Sequence, residues 1–229
     1  MPGGAAAIKE PLRMAYGVLW AFDLLEHELV ASAFETFKKV DLENLKIMVE
    51  QGINTPMTSS VGRLFDAASA LLGICSAPTY EGEAAIALEA ELWRYLAKNP
   101  DAKRSRFDSR YEISITKNVA TKDSNARDTS VLLFDAKNTF KALLDDMKNG
   151  VEPGKVAKNF HDAFVRAIVT CAGLSKQLYG INDVALSGGV FMNRYLIENS
   201  IKALVESGFK VAINREVPPN DGGVSLGQI

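Results

Sequence analysis

The sequence predicts an α/β fold in which a mainly parallel or mixed sheet is flanked by helices, with a helical region before it. Near the end of the chain, residues 183–193 predict a buried strand that runs into the Gly188-Gly189 turn and then a helix, and a second strand at 209–214 runs into Gly222-Gly223. Helical periodicity alone fills about the first hundred residues, whereas strands and helices alternate after them. We therefore predict a helical subdomain over residues 1–100 and an α/β lobe over residues 101–229.

The composition restricts the class of protein. With 229 residues, of which 47% are hydrophobic, the chain is long enough to bury a core. A net charge of −2 gives no general attraction to polyanions, so nucleic acid is not expected as a partner. Cys75 and Cys171 form no CxxC pair, and no signal peptide or long apolar run is present. These features predict a cytoplasmic protein that does not bind a membrane.

The order of the elements follows from periodicity and from helix-ending residues. Capping candidates at 58–60 precede a helix at 61–72, and an alanine- and glutamate-rich helix at 83–98 is stopped by Pro100. An edge strand is expected at 111–116 and a more buried strand at 131–134. A long helix should run from Pro153 to Tyr179. Because the chain stops where a helix after Gly222-Gly223 should begin, we expect a segment of a longer protein.

The two glycine pairs are the strongest local signal. A small-residue turn at the carboxyl end of a strand lets a phosphate approach backbone N–H groups at a helix N-terminus. A single pair, such as Gly188-Gly189, is explained equally well by tight chain reversal, but two in tandem favour a nucleotide cleft that also includes Gly222. Asn193 lies one helical turn past Gly189, so it either points into this cleft or bonds its own backbone at the helix start.

Three further residues have both a functional and a structural interpretation. Asp221 either coordinates a metal that bridges phosphate oxygens or caps the last helix, and spacing alone favours the cap. Asp66, one turn beyond Gly62, either accepts hydrogen bonds from a ribose diol or forms an i,i+3 ion pair with Arg63, and the sequence alone favours the ion pair. Gly82 either admits a ligand or relaxes its loop.

The histidines and cysteines predict no catalytic centre of their own. His27 is expected on the surface, and His161 is expected to pack against the sheet, with a cleft-facing role as the alternative. A zinc or iron site usually requires several His, Cys or carboxylate ligands at close spacing, which the sequence does not contain. No pair of a nucleophile and a general base emerges.

Several strings together resemble one known family. They are Pro2-Gly3-Gly4 with Glu10-Pro11-Leu12-Arg13, Ser59-Ser60-Val61-Gly62-Arg63-Leu64-Phe65-Asp66, Tyr80-Glu81-Gly82-Glu83, Leu186-Ser187-Gly188-Gly189-Val190-Phe191-Met192-Asn193 and Val217-Pro218-Pro219-Asn220-Asp221-Gly222-Gly223. In this order they resemble the C-terminal part of HypF, the carbamoyltransferase family of nickel–iron hydrogenase maturation. The resemblance extends over essentially the whole chain.

The resemblance implies a fold and a reaction. The segment is similar to an ASKHA-type domain related to TsaD, the tRNA threonylcarbamoyl transferase. In the family, a preceding YrdC-like domain forms carbamoyl adenylate from carbamoyl phosphate and ATP. The ASKHA-type domain then passes the carbamoyl group to the C-terminal cysteine thiol of HypE, where it becomes a cyanide ligand of the hydrogenase iron. A HypE-like protein is therefore the implied partner.

The resemblance also implies roles for individual residues. Gly188, Gly189 and Asn193 hold the phosphate end of the adenylate, and Gly62 and Asp66 hold the ribose. Asp221 is a ligand of a divalent metal. The family completes that metal site with a His-x-x-x-His pair that this chain lacks. We therefore expect a second lobe with a helical N-terminal insertion, inactive alone and able to form a homodimer through the face that the first lobe covers. Two alternatives stay open: a TsaD-like tRNA-modifying fragment, and a binding module without chemistry.

Overall fold

The structure is a computed structural model that describes residues 1–35, 38–104, 107–119 and 130–223. It divides into two compact units. The first comprises Met1–Arg106 and Phe140–Asn159, and the second comprises Phe107–Thr139 and Phe160–Ile229. The sequence placed a single boundary near residue 100, whereas in the structure the chain returns to the helical unit at residues 140–159. A ring contact of 5.7 Å between Phe22 and Phe140 is one of the contacts that fixes this return.

The elements, in chain order, alternate between helix and strand only in the second half. The helices are α1 (Ala6–Lys9), α2 (Pro11–Ala21), α3 (Val30–Ala33), α4 (Lys39–Gln51), α5 (Val61–Leu71), α6 (Glu83–Lys98), α7 (Lys137–Lys148), α8 (Pro153–Tyr179) and α9 (Arg194–Glu206). The strands are β1 (Ser114–Val119), β2 (Ser130–Asp135), β3 (Asp183–Leu186) and β4 (Lys210–Ile213). Short 3₁₀ turns lie at Pro100–Arg104, Gly189–Met192 and Asp221–Gly223.

Helix α6 shows how the first unit buries its core. Its apolar residues recur every four positions and form one buried stripe: Ala84, Leu88, Leu92 and Leu96. Each fully buried leucine contributes about 1.5 to 3 kcal/mol to folding. The helix begins after Gly82 and ends before Pro100, as the sequence predicts, because proline cannot continue the helical hydrogen bonds.

Helix α5 confirms the predicted helix at 61–72, with its last helical residue at Leu71. Ser60 occupies the N-cap position but makes no side-chain capping hydrogen bond, so the predicted cap contributes only its backbone conformation. Gly73 follows with a φ of 66°, the left-handed conformation that glycine adopts at helix ends.

Helices α6 and α8 approach closely at Gly154. A Cβ atom at this position would lie 2.5 Å from Tyr95 Cβ and 2.9 Å from the Glu91 carbonyl oxygen, which is shorter than van der Waals contact. Only glycine therefore allows the start of α8 to pack against α6 within the first unit.

The second unit contains the predicted strand–helix–strand sequence. Strands β3 and β4 pair in parallel, in the register Asp183↔Lys210 to Leu186↔Ile213, and α9 forms the crossover between them. Their apolar residues pack with α8 and α9 around a small core of Ala172, Leu186, Leu204 and Phe209. This arrangement places the Gly188-Gly189 turn at the carboxyl end of β3.

The predicted strands at 111–116 and 131–134 form a separate hairpin. Strands β1 and β2 are antiparallel, with Ser114 opposite Asp135, so the described residues form two two-stranded sheets rather than one larger sheet. The prediction that 131–134 is the more buried strand was wrong, since Leu133 and Phe134 are 46% and 54% exposed. A run of apolar residues does not by itself show which face is covered.

Tyr111 also differs from its prediction. It precedes β1 instead of starting the strand, and its side chain is fully buried. Arg166 of α8 donates hydrogen bonds to the carbonyl oxygens of Asp108 and Tyr111 and lies over the Phe107 ring at 5.4 Å. These contacts tie the segment before β1 to α8 within the second unit.

Helices capable of spanning a bilayer are absent from the described ranges, since none combines sufficient length with sufficient apolar character.

Candidate functional site

Two glycine-containing turns meet at the carboxyl end of β3. The Gly188 N–H donates a 2.8 Å hydrogen bond to the Pro219 carbonyl oxygen, so the turn after β3 is held against the segment that follows β4. Gly188 has a φ of 106°, which favours glycine, and a Cβ atom there would meet nothing within 4 Å. The α-carbon of Gly188 therefore faces open space, as is required where a ligand approaches the backbone closely.

The second turn is organised by Asn220. Its Oδ1 accepts from the Gly222 N–H at 3.1 Å, and its backbone carbonyl oxygen accepts from Gly223. A Cβ atom at Gly223 would lie 2.9 Å from the Pro218 carbonyl oxygen, so this turn is tight for steric reasons. The helix expected after Gly222-Gly223 lies outside the described residues.

Asn193 has the structural role that the sequence offered as the alternative. It is the N-cap of α9, and its Oδ1 accepts from the Leu196 N–H at 2.8 Å. The other end of the amide, Nδ2, lies 2.9 Å from His161 Nε2. Because an amide NH₂ group only donates, Nε2 accepts, and the proton of the neutral imidazole is on Nδ1. Asn193 thus connects the turn at 189–192 to a buried histidine.

His161 belongs to a buried polar group that the sequence did not reveal. Its ring is fully buried and meets Tyr195 edge to face, with 5.7 Å between ring centroids. The Tyr195 hydroxyl donates a 2.8 Å hydrogen bond to Asp162 Oδ1. Burial and the neighbouring Asp162 carboxylate both raise the pKa of Tyr195 well above its usual value. The sequence alone indicated no role for Asp162 or Tyr195, because the contact between α8 and α9 is tertiary.

Asp66 forms the i,i+3 ion pair with Arg63 that the sequence favoured. Its Oδ2 lies 3.2 Å from Arg63 Nη1, and Arg63 Nη2 lies 3.5 Å from Glu81 Oε1. The carboxyl group is 3% exposed, and its Oδ1 finds no hydrogen-bond partner in the part of the chain that the structure describes. The ion pair therefore leaves one carboxylate oxygen with its acceptor capacity unused.

Arg63 joins two of the sequence motifs within the first unit, because it pairs both with Asp66 of α5 and with Glu81 of the loop before α6. Glu81 precedes Gly82, the N-cap of α6, which has a φ of 86° and open space around its α-carbon. Thr79 donates from its backbone and from its hydroxyl to the Glu83 carboxylate, which lowers the pKa of Glu83 and fixes the loop. Gly62 lies in the first turn of α5, where a Cβ would make only ordinary contact with Ser60. Gly62, Asp66 and Gly82 thus belong to the first unit, and the glycine turns belong to the second.

Replacement of Asp66 by asparagine is expected to change how stability depends on pH. Burial raises the pKa of Asp66 above the ordinary value of 3.8, more than the Arg63 guanidinium lowers it. Above pH 3.8 the folded chain therefore binds more protons at this site than the unfolded chain. The free energy of unfolding of the wild type should fall relative to Asp66→Asn as the pH rises from 3.8 through the raised pKa.

Urea denaturation at several pH values measures this difference. Asp101→Asn is the control, since it removes a carboxyl group that is exposed. If the free energy of unfolding of the wild type minus that of Asp66→Asn stays constant or increases as the pH rises, the assignment of a raised pKa to Asp66 is wrong.

Asp221 lies in an exposed 3₁₀ turn next to Asn220. Across residues 1–35, 38–104, 107–119 and 130–223, no three His, Cys, Asp or Glu side chains are grouped closely enough to hold a metal ion. The described residues therefore do not supply a complete set of ligands for a divalent metal, and the proposed reaction below includes no metal-dependent step.

His27 is half-buried rather than on the surface, which corrects the sequence-based expectation. Its Nε2 lies 3.2 Å from Asp145 Oδ1, and its Nδ1 accepts from the Leu29 N–H at 3.3 Å. This pairing is a contact within the first unit between the α2–α3 connection and α7. Long-range contacts of this kind leave no mark in local sequence.

An open glycine turn after a parallel strand is typical of α/β subdomains that bind phosphate groups. The family model described as "Carbamoyltransferase, Kae1-like Domain, second subdomain" matches residues 1–228. The chain therefore belongs to this family of carbamoyltransferase subdomains.

Two curated relatives are much longer than this chain. It is 32% identical to the probable carbamoyltransferase HypF of Methanocaldococcus jannaschii, over 99% of this chain and 26% of that protein. It is also 32% identical to carbamoyltransferase HypF2 of Cupriavidus necator, over 100% of this chain and 28% of that protein. The chain thus spans about a quarter of the length of these relatives.

Solved structures agree with the family. A crystal structure of full-length HypF in the phosphate- and nucleotide-bound form is similar with a TM-score of 0.78 and 32% identity, over 99% of this chain and 27% of that one. The structure of HypF from T. kodakarensis is similar with a TM-score of 0.73 and 28% identity, over 100% of this chain and 28% of that one. Both likenesses extend over at least 99% of the present chain.

Proposed function

We propose that the chain forms part of an ASKHA-type domain that holds carbamoyl adenylate while its carbamoyl group passes to a cysteine thiol of a HypE-like protein. The observation that carries this proposal is the open Gly188-Gly189 turn, fixed by the bond from Gly188 to Pro219, in a chain of the carbamoyltransferase family. The nucleotide-bound state of a structural neighbour supports the choice of ligand. The helical first unit corresponds in this proposal to the N-terminal insertion.

In the proposed reaction, the acceptor thiolate attacks the carbamoyl carbon of the adenylate. The new carbon–sulfur bond replaces the bond between that carbon and the phosphate oxygen, and AMP leaves with the electron pair. The backbone N–H group of Gly189 is suited to stabilise the negative charge on the departing phosphate. Gly188 lets the phosphate approach, and Asn193 fixes the start of α9 beside it.

The acceptor thiol is proposed to come from the partner. Burial raises the pKa of Cys75, which disfavours the reactive thiolate at this position. An external nucleophile agrees with the family reaction, in which the carbamoyl phosphate-derived adenylate is made by a preceding YrdC-like domain. In the same proposal, Gly62, Asp66 and Gly82 of the first unit contact a nucleotide ribose. The unused Oδ1 acceptor of Asp66 suits a ribose hydroxyl donor.

Calorimetric titration with ATP and AMP tests nucleotide binding by the chain. Gly189→Val should abolish measurable binding, because the added side chain occupies the space where the phosphate meets the backbone. Asp66→Ala should weaken binding about tenfold through loss of a charge-assisted hydrogen bond to the ribose. Gly173→Val is the control, since it adds the same side chain to α8 in open space.

Equal binding by wild type and Gly189→Val would contradict a phosphate site at this turn. Carbamoyl transfer to a HypE-like protein, measured for the chain alone and for the protein with its preceding domains, tests the reaction. Nucleotide binding without transfer in either form would contradict the proposed reaction and leave a binding module.

A further inference from the structure

The short 3₁₀ turn after β3 is held mainly at its two ends. None of the residues Gly189–Met192 is fully buried, and Phe191 makes only partial contact with the small core of the second unit. The hydrogen bonds of a 3₁₀ turn also have poorer geometry than those of an α-helix. Before the turn, the Gly188 N–H donates to the Pro219 carbonyl oxygen. After it lies Asn193, so the orientation of the turn depends on what holds this residue.

Asn193 joins the turn to α9. Its backbone N–H donates to the Val190 carbonyl oxygen at 3.1 Å and so closes the turn. Its backbone carbonyl oxygen accepts from the Ile197 N–H at 3.1 Å, and its Oδ1 accepts from the Leu196 N–H at 2.8 Å. One residue therefore ends the turn and starts the helix. A change in its orientation would disturb both elements.

The cap determines which end of the Asn193 amide meets His161. Because Oδ1 accepts from the Leu196 N–H, the amide cannot turn over without placing two donors against each other. Nδ2 therefore faces His161 Nε2 at 2.9 Å, and the neutral ring accepts with its proton on Nδ1. A proton on Nε2 would place a second donor against Nδ2.

His161 is a rigid support for this amide. It lies inside the 27-residue helix α8, and its ring is fully buried against the Tyr195 ring. Water does not compete for a hydrogen bond in such a setting, which makes the bond stronger than an exposed one. Because the ring has no exposed surface, His161 can act on a ligand only through Asn193.

We propose that His161 is a positioning residue for the phosphate-binding turn. Through Asn193 it holds the turn at Gly189–Met192 and the start of α9 in one orientation. The proposal rests on the proposed function, which places the phosphate of the adenylate at this turn. Without an acceptor at position 161 the turn populates other orientations, and only a fraction of the molecules present the Gly189 N–H to the phosphate. The affinity for nucleotide falls in proportion to that fraction.

Two substitutions of His161 separate its hydrogen bond from its volume. In His161→Gln, the side-chain oxygen reaches about as far as Nε2 and can accept from Asn193, whereas His161→Leu has no acceptor. Both variants lose the ring contact with Tyr195, so they differ chiefly in the acceptor. In calorimetric titration we expect His161→Leu to weaken binding of ATP and AMP about tenfold and His161→Gln to restore most of the affinity.

Tyr195→Phe is the matched control for packing between α8 and α9. It removes the 2.8 Å hydrogen bond from the Tyr195 hydroxyl to Asp162, the neighbour of His161, and leaves the amide of Asn193 in place. The variant should be less stable but should bind ATP and AMP like the wild type. Equal weakening of nucleotide binding by Tyr195→Phe and His161→Leu would overturn the proposal.

Hydrogen exchange measures the turn in the chain without nucleotide. The N–H groups of Phe191 and Asn193 donate within the turn and should exchange about tenfold faster in His161→Leu than in the wild type, and at the wild-type rate in His161→Gln. The Lys210 N–H, which donates to Asn182 at the other end of the strand pair, should be unchanged. Equally faster exchange at Lys210 would show a general loss of stability and would overturn a specific role for His161.

NMR of isotope-labelled histidine tests the hydrogen bond in the wild type itself. The chain contains two histidines, so a His27→Gln variant assigns both rings. His161 should carry a proton on Nδ1 and none on Nε2 at neutral pH. A protonated Nε2, or equal nucleotide binding by His161→Gln and His161→Leu, would overturn the proposal.

The two kinds of measurement also distinguish this proposal from the proposed function. A wild-type chain that binds no nucleotide would contradict a phosphate site at the turn. The exchange rates and the ring signals require no ligand, so they would still decide whether His161 holds the turn. Nucleotide binding by the wild type that is unchanged in His161→Leu would overturn the positioning role alone.

Discussion

Replacement of Gly154 by alanine is expected to lower the free energy of unfolding by about 3 kcal/mol, the upper range for overpacking in a close-packed interior. The added Cβ would lie 2.5 Å from Tyr95 Cβ and 2.9 Å from the Glu91 carbonyl oxygen. Both atoms belong to or adjoin the α6 backbone, so no side-chain rotation relieves the clash. Relief requires α8 to move away from α6 and to open the packing that both helices share.

Gly173→Ala is the matched control for this prediction. It makes the same substitution in the same helix, but a Cβ at Gly173 meets nothing within 4 Å. Alanine should therefore stabilise the chain by about 0.5 to 1 kcal/mol through its higher helix propensity. Urea denaturation followed by circular dichroism measures both variants. A Gly154→Ala variant as stable as Gly173→Ala would show that the two helices do not approach as closely as described.

Replacement of Asn193 by alanine is expected to lower the free energy of unfolding by a similar amount, also about 3 kcal/mol. Loss of the N-cap bond to Leu196 accounts for about 1 kcal/mol. The remainder comes from His161 Nε2, which loses its donor in a fully buried setting, at a cost of about 1 to 3 kcal/mol.

Asn193→Ser divides this effect into its two parts. Serine retains a side-chain oxygen for the cap but provides no amide for His161, so it should recover only the capping part of the loss. Asn199→Ala is the control on the same helix. It removes a local bond from Nδ2 to the Tyr195 carbonyl oxygen and should change stability by less than about 0.5 kcal/mol. Equal stability of the serine variant and the wild type would show that the contact with His161 contributes nothing.

The sequence predicted the local elements because their causes are local. Helix α6 was predicted at its observed bounds from its alanine- and glutamate-rich composition and from Pro100, and α8 from Pro153 to about Tyr179. The parallel order of β3 and β4 followed from the strand–turn–helix–strand pattern, since a connection through a helix returns the chain in the same direction. The carbamoyltransferase family followed from five ordered motifs, and the family match confirms it.

Tertiary contacts decided what these motifs do in the folded chain. The sequence offered two roles each for Asn193 and Asp66, and the structure shows the cap in one case and the ion pair with Arg63 in the other. Both roles involve residues three apart, but the further contacts with His161 and Glu81 involve distant parts of the chain.

The sequence by itself thus determined the helices, the parallel strand pair and the family, because backbone propensity and helix-ending residues act over a few positions. Only the tertiary structure decided the burial of Asp66 and Tyr195, the exposure of Leu133 and the contact between His161 and Asn193. Burial, and the pKa shifts that follow from it, depend on which distant side chains exclude water from a position. That information lies in the packing of helices and strands against one another, which local sequence does not encode.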